Sequence, residues 1–379
     1  MGRGTGILVP VHLLIDVRDA CGERKTGKGH WTLHFVSTLL TRCSDATLLL
    51  GRGDSSPFPS SVRTHVLPYR GLLWHVHAAR YARRHAGSIY VSPTSYIVPA
   101  LLSGSVPCIP VVHDLIAFRP EPHELRARCI ERLTLYRAAS RAAGLCTLSD
   151  ATRSDVLSRY PDIPPERVRT IGAGPVHAAP DAAAQGNPSH ILCAATLCPR
   201  KNQLTLIRAY DALPQSLRSR FPLMLAGGRG WQDRNIVRAA RSTAGVRWAG
   251  YSSDSAMEEL YRDAAVVACP SLYEGFGLPV LTALQRGIPV LCSRRGSLAE
   301  VAGDAAVFVD PESVWSVRDG LLRLLTDSTL RDDLRRRGLQ RAQQFTWEGT
   351  VDRFLAFLRD ISSSPACTPA PRAGMPLQP

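Results

Sequence analysis

Short apolar runs alternate with longer amphipathic stretches along most of the chain. Val11–Val17, Thr47–Leu50, Arg63–Leu67, Ile89–Val91, Cys108–Val112, Leu145–Leu148 and Val168–Ile171 read as strands. Several of these runs are apolar throughout instead of at every second position, which is what a strand buried on both faces requires. Between them the spacing predicts helices over His30–Leu40, Tyr69–Ala86 and Glu121–Ser140, and a further one opening at Ser149, whose hydroxyl suits an N-cap. The pattern lapses over residues 173–188, where glycines, prolines and an alanine run have the composition of a linker. It resumes with strands His190–Thr196, Leu223–Gly228, Val246–Gly250, Ala265–Cys269 and Pro289–Cys292. Helices are predicted after Gln203, from Trp231, over Met257–Ala264 and after Gly277, and then over Ser313–Leu325, Leu330–Gln344 and Trp347–Ile361. This alternation predicts an α/β chain of two Rossmann-like, doubly wound domains facing across a cleft. The expected boundaries are 1–172 and 189–346, with a helix at 347–361 and a tail at 362–379, rich in Pro, Ser and Ala, expected to be disordered.

Composition changes this picture in three places. The ten cysteines are scattered without a Cys-x-x-Cys pair, so they read as reduced thiols of a cytoplasmic protein and not as a disulfide frame or zinc site. No run of about 18 apolar residues and no signal-peptide pattern is present, so no membrane-spanning helix is expected. The formal net charge is +14, mostly arginine, and the first half carries most of it. Such a charge suits nucleic acid, anionic lipid or a phosphorylated substrate. No interleaved aromatic and basic motif accompanies it, so nucleic acid is the weakest of the three. Residues 69–86 combine Leu72, Leu73, Trp74 and Val76 with Arg70, Arg80, Arg83 and Arg84. An exposed Trp74 there would let the helix rest on the anionic inner face of a membrane. The alternative is that Leu72, Val76 and Ala79 pack inward and the arginines are merely solvated.

Candidate chemistry gathers where strands end. After Ala265–Cys269 comes a loop in which Gly275 and Gly277 flank Phe276, and Leu278-Pro279 then opens a helix. Free N–H groups at such a helix start can bind an anion, and Glu274 at the loop's mouth can accept hydrogen bonds from sugar hydroxyls. The bland reading is a strand–helix connection with an exposed glutamate. Gly27 and Gly29 flank Lys28 after the first strand, a second phosphate-receptive arrangement that alone is weak evidence. His113 follows the strand Cys108–Val112, at the carboxyl end where open α/β sheets hold ligands, although it could equally cap local backbone. Arg200 and Lys201 follow the strand His190–Thr196, where a bidentate guanidinium and a point charge suit a pyrophosphate.

Three motifs carry a family resemblance: Glu274-Gly-Phe-Gly-Leu-Pro279, Arg286-Gly-Ile-Pro-Val290 and Glu300-Val-Ala-Gly-Asp-Ala-Ala-Val-Phe-Val-Asp-Pro311. In these the chain resembles family 4 of the retaining glycosyltransferases, two-domain enzymes of the GT-B fold that use nucleotide sugars. The resemblance implies that Glu274 holds sugar hydroxyls, that Arg200 and Lys201 neutralise the leaving diphosphate, and that His113 lies close to the donor sugar. It implies donor contacts from Gly27, Gly29, Thr196, Gly228, Gly275, Phe276, Gly277 and Leu278, and a final helix that crosses back onto the first domain. The Val-Val-His-Asp-Leu pattern at 111–115 is similar to a mannosyltransferase-dominated sub-group, which implies GDP-mannose as donor and places UDP-hexoses second. A glycan acceptor, lipid-linked or phosphorylated, is expected in cell-surface polysaccharide or lipopolysaccharide synthesis. The sequence holds no Asp-x-Asp, so no metal or other cofactor is expected and protein groups are expected to meet the diphosphate charge. The chain departs from the family at Thr282, where a second glutamate commonly grips the ribose. Either the nucleotide grip is relaxed, or the chain is a non-catalytic subunit of a glycan-assembly complex.

Overall fold

The computed structural model describes residues 11–23, 25–85, 87–120, 124–176 and 187–363. The first sheet contains β1 (Leu13–Asp16), β2 (Ala46–Leu50), β3 (Arg63–Val66), β4 (Ile89–Ser92), β5 (Cys108–Val112), β6 (Leu145–Thr147) and β7 (Val168–Thr170). The second contains β8 (His190–Ala194), β9 (Leu223–Ala226), β10 (Val246–Gly250), β11 (Ala264–Cys269), β12 (Val290–Ser293) and β13 (Ala306–Val309). Their orders are 3-2-1-4-5-6-7 and 10-9-8-11-12-13. Every pairing is parallel, with registers such as Ile15↔Leu48 and Val267↔Leu192. The inner strands are buried because helices cover both faces; the edge strands β3, β7, β10 and β13 are partly or largely exposed. In each sheet the order reverses at one point, between β1 and β4 and between β8 and β11. Loops leave such a switch point in opposite directions and open a crevice at the strands' carboxyl ends.

The two sheets lie before and after the linker region, of which residues 177–186 fall outside the described residues, as do 364–379 of the tail. The final helix runs Trp347–Ser363, two residues further than the sequence pattern suggests. It packs on the first domain: Phe354 stands edge-on to Phe35 at 5.1 Å, and the Trp347 indole N–H donates to Pro175 O at 2.8 Å. Its inner face, Val351, Phe354, Leu355 and Leu358, is buried. Truncating one such aromatic costs about 3–5 kcal/mol, so this helix is a strong tie between the domains.

Three local expectations are corrected. Trp74 is not exposed: it is 1 % accessible, its indole N–H donates to Leu50 O at 2.9 Å, and the Arg18 guanidinium lies over its ring at 3.3 Å. The inner stripe of the helix Gly71–Arg84 is Trp74, His75, Ala78, Ala79 and Ala82, and the three alanines leave room for the indole. Leu72 and Leu73 precede this stripe and are 67 % and 62 % exposed, so Leu72 does not pack inward. The helix expected from Trp231 begins at Arg234, because Asp233 accepts from the Nε and one Nη of Arg229 at 2.8 Å each and closes a turn ahead of it. The helix expected from His30 begins at Gly27, since Thr26 is extended and Thr32 Oγ1 bonds Lys28 O at 2.9 Å. Gly27, Lys28 and Gly29 are therefore a first helical turn and not a loop.

Candidate active site in the interdomain cleft

The loops that leave β8 and β11 meet at the second switch point. After β8 a short 3-10 turn, Pro199–Lys201, places two cations side by side, and Asn202 anchors it by donating to Pro270 O at 3.0 Å and Pro311 O at 2.7 Å. After β11 the chain turns through Ser271–Gly277 into the helix Leu278–Gln285, with Pro279 in its first turn. Glu274 lies between these loops, 5 % exposed. Its carboxylate accepts from Arg200 at 3.0 Å, Lys201 Nζ at 2.6 Å and the Ser271 hydroxyl at 2.7 Å. Burial alone would raise the Glu274 carboxyl; Lys201 and Arg200 outweigh it and hold it below the ordinary carboxylate value. Arg200 also donates to Tyr273 O at 2.9 Å, and its buried Nε–H has no partner among the described residues. Burial opposes its charge, but Glu274 and Asp114 raise its pKa further.

The first domain meets this loop directly. A Cβ at Gly275 would stand 2.0 Å from His113 O and 2.7 Å from Asp114 Cβ, so glycine is what permits the two domains' loops to touch. Gly275 O in turn accepts from Ser149 Oγ at 2.8 Å and Thr152 Oγ1 at 3.3 Å. Ser149 is the N-cap of the helix Asp150–Arg159, as its position suggested, and it also receives Thr152 N–H at 3.0 Å. Glu300 of the second domain accepts from Asp150 N–H and Ala151 N–H at 3.0 and 3.1 Å, an anion at a helix N-terminus. Tyr273 O–H donates to Asp155 at 2.7 Å, and Arg119 holds the same carboxylate at 2.8 Å.

His113 is buried at 6 % exposure, with its ring edge-on to Trp31 at 5.3 Å. Its Nε2 lies 2.7 Å from Pro93 O; only a donor satisfies a carbonyl, so Nε2 carries the proton and Nδ1 is left as an acceptor. Burial and the nearby Lys28 push its pKa down to about 4, so the ring is neutral at pH 7. The ring thus caps local backbone, one of the two roles that its position left open, while the His113 carbonyl oxygen lies against Gly275.

The structure brings His113, Arg200, Lys201, Glu274, Gly275 and Gly277 together, and Gly27 joins them, a Cβ there lying 3.7 Å from Leu278 Cδ1. Thr196 and Gly228 stand past the carboxyl ends of β8 and β9, the edge at which the crevice opens, linked through Leu197 N–H to Gly228 O at 3.0 Å. Other expected residues serve packing instead. The Phe276 ring turns into the second domain's core against Phe345, so only its backbone faces the loop. A Cβ at Gly29 would stand 2.4 Å from Asp19 O, which makes Gly29 a packing residue. Thr282 is 2 % exposed and its hydroxyl pairs with Tyr261. Ser271, Tyr273, Asp155 and Glu300 are the contributors that sequence reasoning missed. Glu300 lies inside a quoted motif, which was a usable signal; the other three had none.

Among the described residues no helix is long and apolar enough to cross a membrane, and no three His, Cys, Asp or Glu side chains gather to hold a metal ion. The nine cysteines among the described residues are free, and Cys367 lies outside them.

Two Rossmann-like domains, with a cation pair and a buried glutamate where their carboxyl edges meet, define a glycosyltransferase of the GT-B class. The chain belongs to the family described as glycosyl transferases group 1, whose model matches residues 179–341. It is 35 % identical over 285 residues to the O-antigen chain mannosyltransferase B of Escherichia coli, covering 70 % of this chain and 72 % of that protein. It is 31 % identical over 274 residues to the serotype-specific mannosyltransferase WbdA of Escherichia coli, covering 67 % of this chain but 34 % of that longer protein. In fold it matches the sucrose-phosphate synthase of Thermosynechococcus elongatus with a TM-score of 0.76 at 18 % identity, over 93 % of this chain and 99 % of that one. Anabaena HepE in complex with UDP-glucose matches with a TM-score of 0.72 at 15 % identity, over 93 % and 100 %.

Proposed function

We propose that this enzyme moves mannose from GDP-mannose, with retention and without a metal ion, onto a lipid-linked glycan in O-antigen-type polysaccharide synthesis. The observation that carries the donor and the pathway class is the 35 % identity to a protein named as an O-antigen chain mannosyltransferase. The cluster of Arg200, Lys201 and Glu274 carries the mechanism. Two cations in a mostly buried setting stand where the family resemblance puts the diphosphate, and an ion pair at about 4 Å is worth roughly 4 kcal/mol at an effective dielectric of about 20. The unpartnered Arg200 Nε–H adds a donor to that side. As the C1–O bond to phosphate breaks, the charge developing on the leaving oxygen is met by these groups and by the helix start at Leu278. That oxygen takes the proton of the acceptor hydroxyl, which attacks C1 from the same face, so the configuration is kept. Neutral His113 offers Nδ1 as an acceptor for a hydroxyl and adds no charge.

The enzyme acts at the cytoplasmic face of the membrane, resting there peripherally. The support is the exposed pair Leu72 and Leu73 beside Arg70, Arg80, Arg83 and Arg84, all exposed. Each such cation near an anionic surface contributes about 1 kcal/mol. Replacing Leu72 and Leu73 by Asp should lower co-sedimentation with phosphatidylglycerol vesicles while leaving soluble-acceptor activity intact.

A thermal-shift titration with GDP, UDP and ADP and their sugars, with and without EDTA, tests the donor assignment. A ligand bound only by the native state raises the melting temperature by mass action. A shift with GDP and GDP-mannose that EDTA does not alter is expected. A shift with UDP alone would replace the donor, and loss of the GDP shift in EDTA would remove the metal-independent site.

A further inference from the structure

The first-domain wall of the cleft carries its own charged group. Lys28, in the first turn of the helix Gly27–Arg42, reaches toward Glu131 on the helix Leu125–Arg141, with Nζ 3.6 Å from Oε1. Asp114 completes the group, its carboxylate accepting Ile116 N–H at 3.1 Å while its Cβ lies against Gly275. The placement is tied to the donor loop twice, through Gly27 on Leu278 and Asp114 on Gly275. Charges alternate across the cleft in consequence: Glu131, Lys28 and Asp114 on one wall, and Arg200, Glu274 and Lys201 on the other. The first wall has two carboxylates and one ammonium, and the second the reverse.

Sugar hydroxyls are donors, and an ionised carboxylate is an acceptor with about four lone-pair sites. At 3.6 Å the Lys28–Glu131 contact is an ion pair but longer than a hydrogen bond of 2.7–3.2 Å. Glu131 therefore keeps acceptor sites for a ligand, and it is 15 % exposed, enough to be reached. A phosphate at the same place would bring only acceptors and negative charge to two carboxylates, one of them beside a lysine that is already engaged.

We propose that Glu131, Asp114 and Lys28 select the acceptor, taking a neutral hexose by its adjacent hydroxyls as the receiving unit and rejecting a phosphorylated one. This rests on the glycosyl-transfer reading above and deepens it: any phosphate of a lipid-linked acceptor lies further along the glycan, away from the receiving sugar. The inference reverses what the net charge of the first half suggests: Arg119, which reaches the second domain at the Tyr273 ring, is already paired with Asp155.

The test is equilibrium titration of the full chain, saturated with GDP, with α-mannobiose and with α-mannobiose phosphorylated on the non-reducing mannose. The neutral disaccharide is expected to bind at least about tenfold tighter. Glu131→Gln should weaken it about tenfold, the worth of one charged hydrogen bond, and narrow the discrimination, with the GDP affinity unchanged. Lys28→Met should widen the discrimination against phosphate. An unchanged melting temperature in each variant, and partial rescue by Glu131→Asp, separate recognition from folding. Equal or tighter binding of the phosphorylated sugar, no binding of either disaccharide, or a Glu131→Gln effect on GDP alone would each overturn the assignment. Failure of the donor reading shows separately, as absence of GDP binding to the unaltered protein.

Discussion

The two walls of the cleft are built alike and charged oppositely. Each stands at the switch point of a parallel sheet, and each presents a glycine-bearing helix start. On the second-domain wall, Gly275 exists so that another domain can approach, and Arg200 and Lys201 supply the charge. On the first-domain wall, Gly29 serves packing on Asp19 O, and carboxylates dominate. Glycines in a loop thus report close backbone approach, while the nature of the ligand is written in the side chains beside them. A positive wall suits a diphosphate and a negative wall suits hydroxyls.

The largest effect is expected from removing the positive wall. Arg200→Ala with Lys201→Ala should lower GDP affinity by more than about a hundredfold. It should also cost about 3–5 kcal/mol of stability, since Glu274 would remain buried without its partners. Calorimetric titration and chemical denaturation read the two effects, and undiminished GDP binding would remove the role given to both residues. Gly275→Ala attacks the contact between the walls. Its Cβ cannot occupy a position 2.0 Å from His113 O, so the domains must shift, and misplacement on the order of 1 Å can cost about a hundredfold in turnover. Turnover should fall steeply while GDP affinity changes little; equal losses in both would place the effect on the donor loop alone.

Acid stability sharpens the comparison. His113 is held neutral with a pKa near 4, below the usual histidine range. A base whose folded pKa is depressed contributes stability that is complete above its unfolded pKa, about 6.5. That contribution is lost as pH falls from about 6.5 toward 4. Glu274, also depressed, begins to lose its contribution only below about 4.5. Denaturation midpoints followed from pH 7 to 4.5 should therefore decline in the native protein and decline less steeply in His113→Asn, the remaining slope coming from other buried histidines such as His75, whose pKa burial also pushes down to about 4. An identical slope in both would deny the buried neutral histidine. The smallest effect belongs to Tyr273→Phe, which deletes the hydrogen bond to Asp155 at 2.7 Å. It should cost about 1 kcal/mol, measured as a lowered denaturation midpoint.

Much of the fold was legible because buried parallel strands are apolar throughout, as in β5 and β11, and helices between them have their own period. Boundaries failed where a local interaction overrode the pattern: the Arg229–Asp233 pair delays a helix, and Thr26 starts one early. Trp74 was misjudged because its place beside arginines looked amphipathic, while the small Ala78, Ala79 and Ala82 that receive it lie further along the helix. Arg200, Lys201 and Glu274 could be found from their positions at strand ends. Their mutual bonding could not, since residues 200 and 274 are brought together only by the parallel pairing of β8 with β11. The same holds for Tyr273 and Asp155, and for Lys28 and Glu131, which are a hundred residues apart and meet only in the folded cleft. Thr282 shows a further limit: a departure from a motif says what is missing, and only packing shows that Tyr261 takes up its hydroxyl.

The central claim is metal-independent mannosyl transfer with retention, driven by protein cations. Proton NMR of the product formed from GDP-α-mannose and a mannobiose acceptor in excess EDTA tests it most directly. The account predicts an α-linked mannoside formed at the same rate with and without the chelator. A β-linked product, or transfer that stops in EDTA and returns with Mg²⁺, would contradict it.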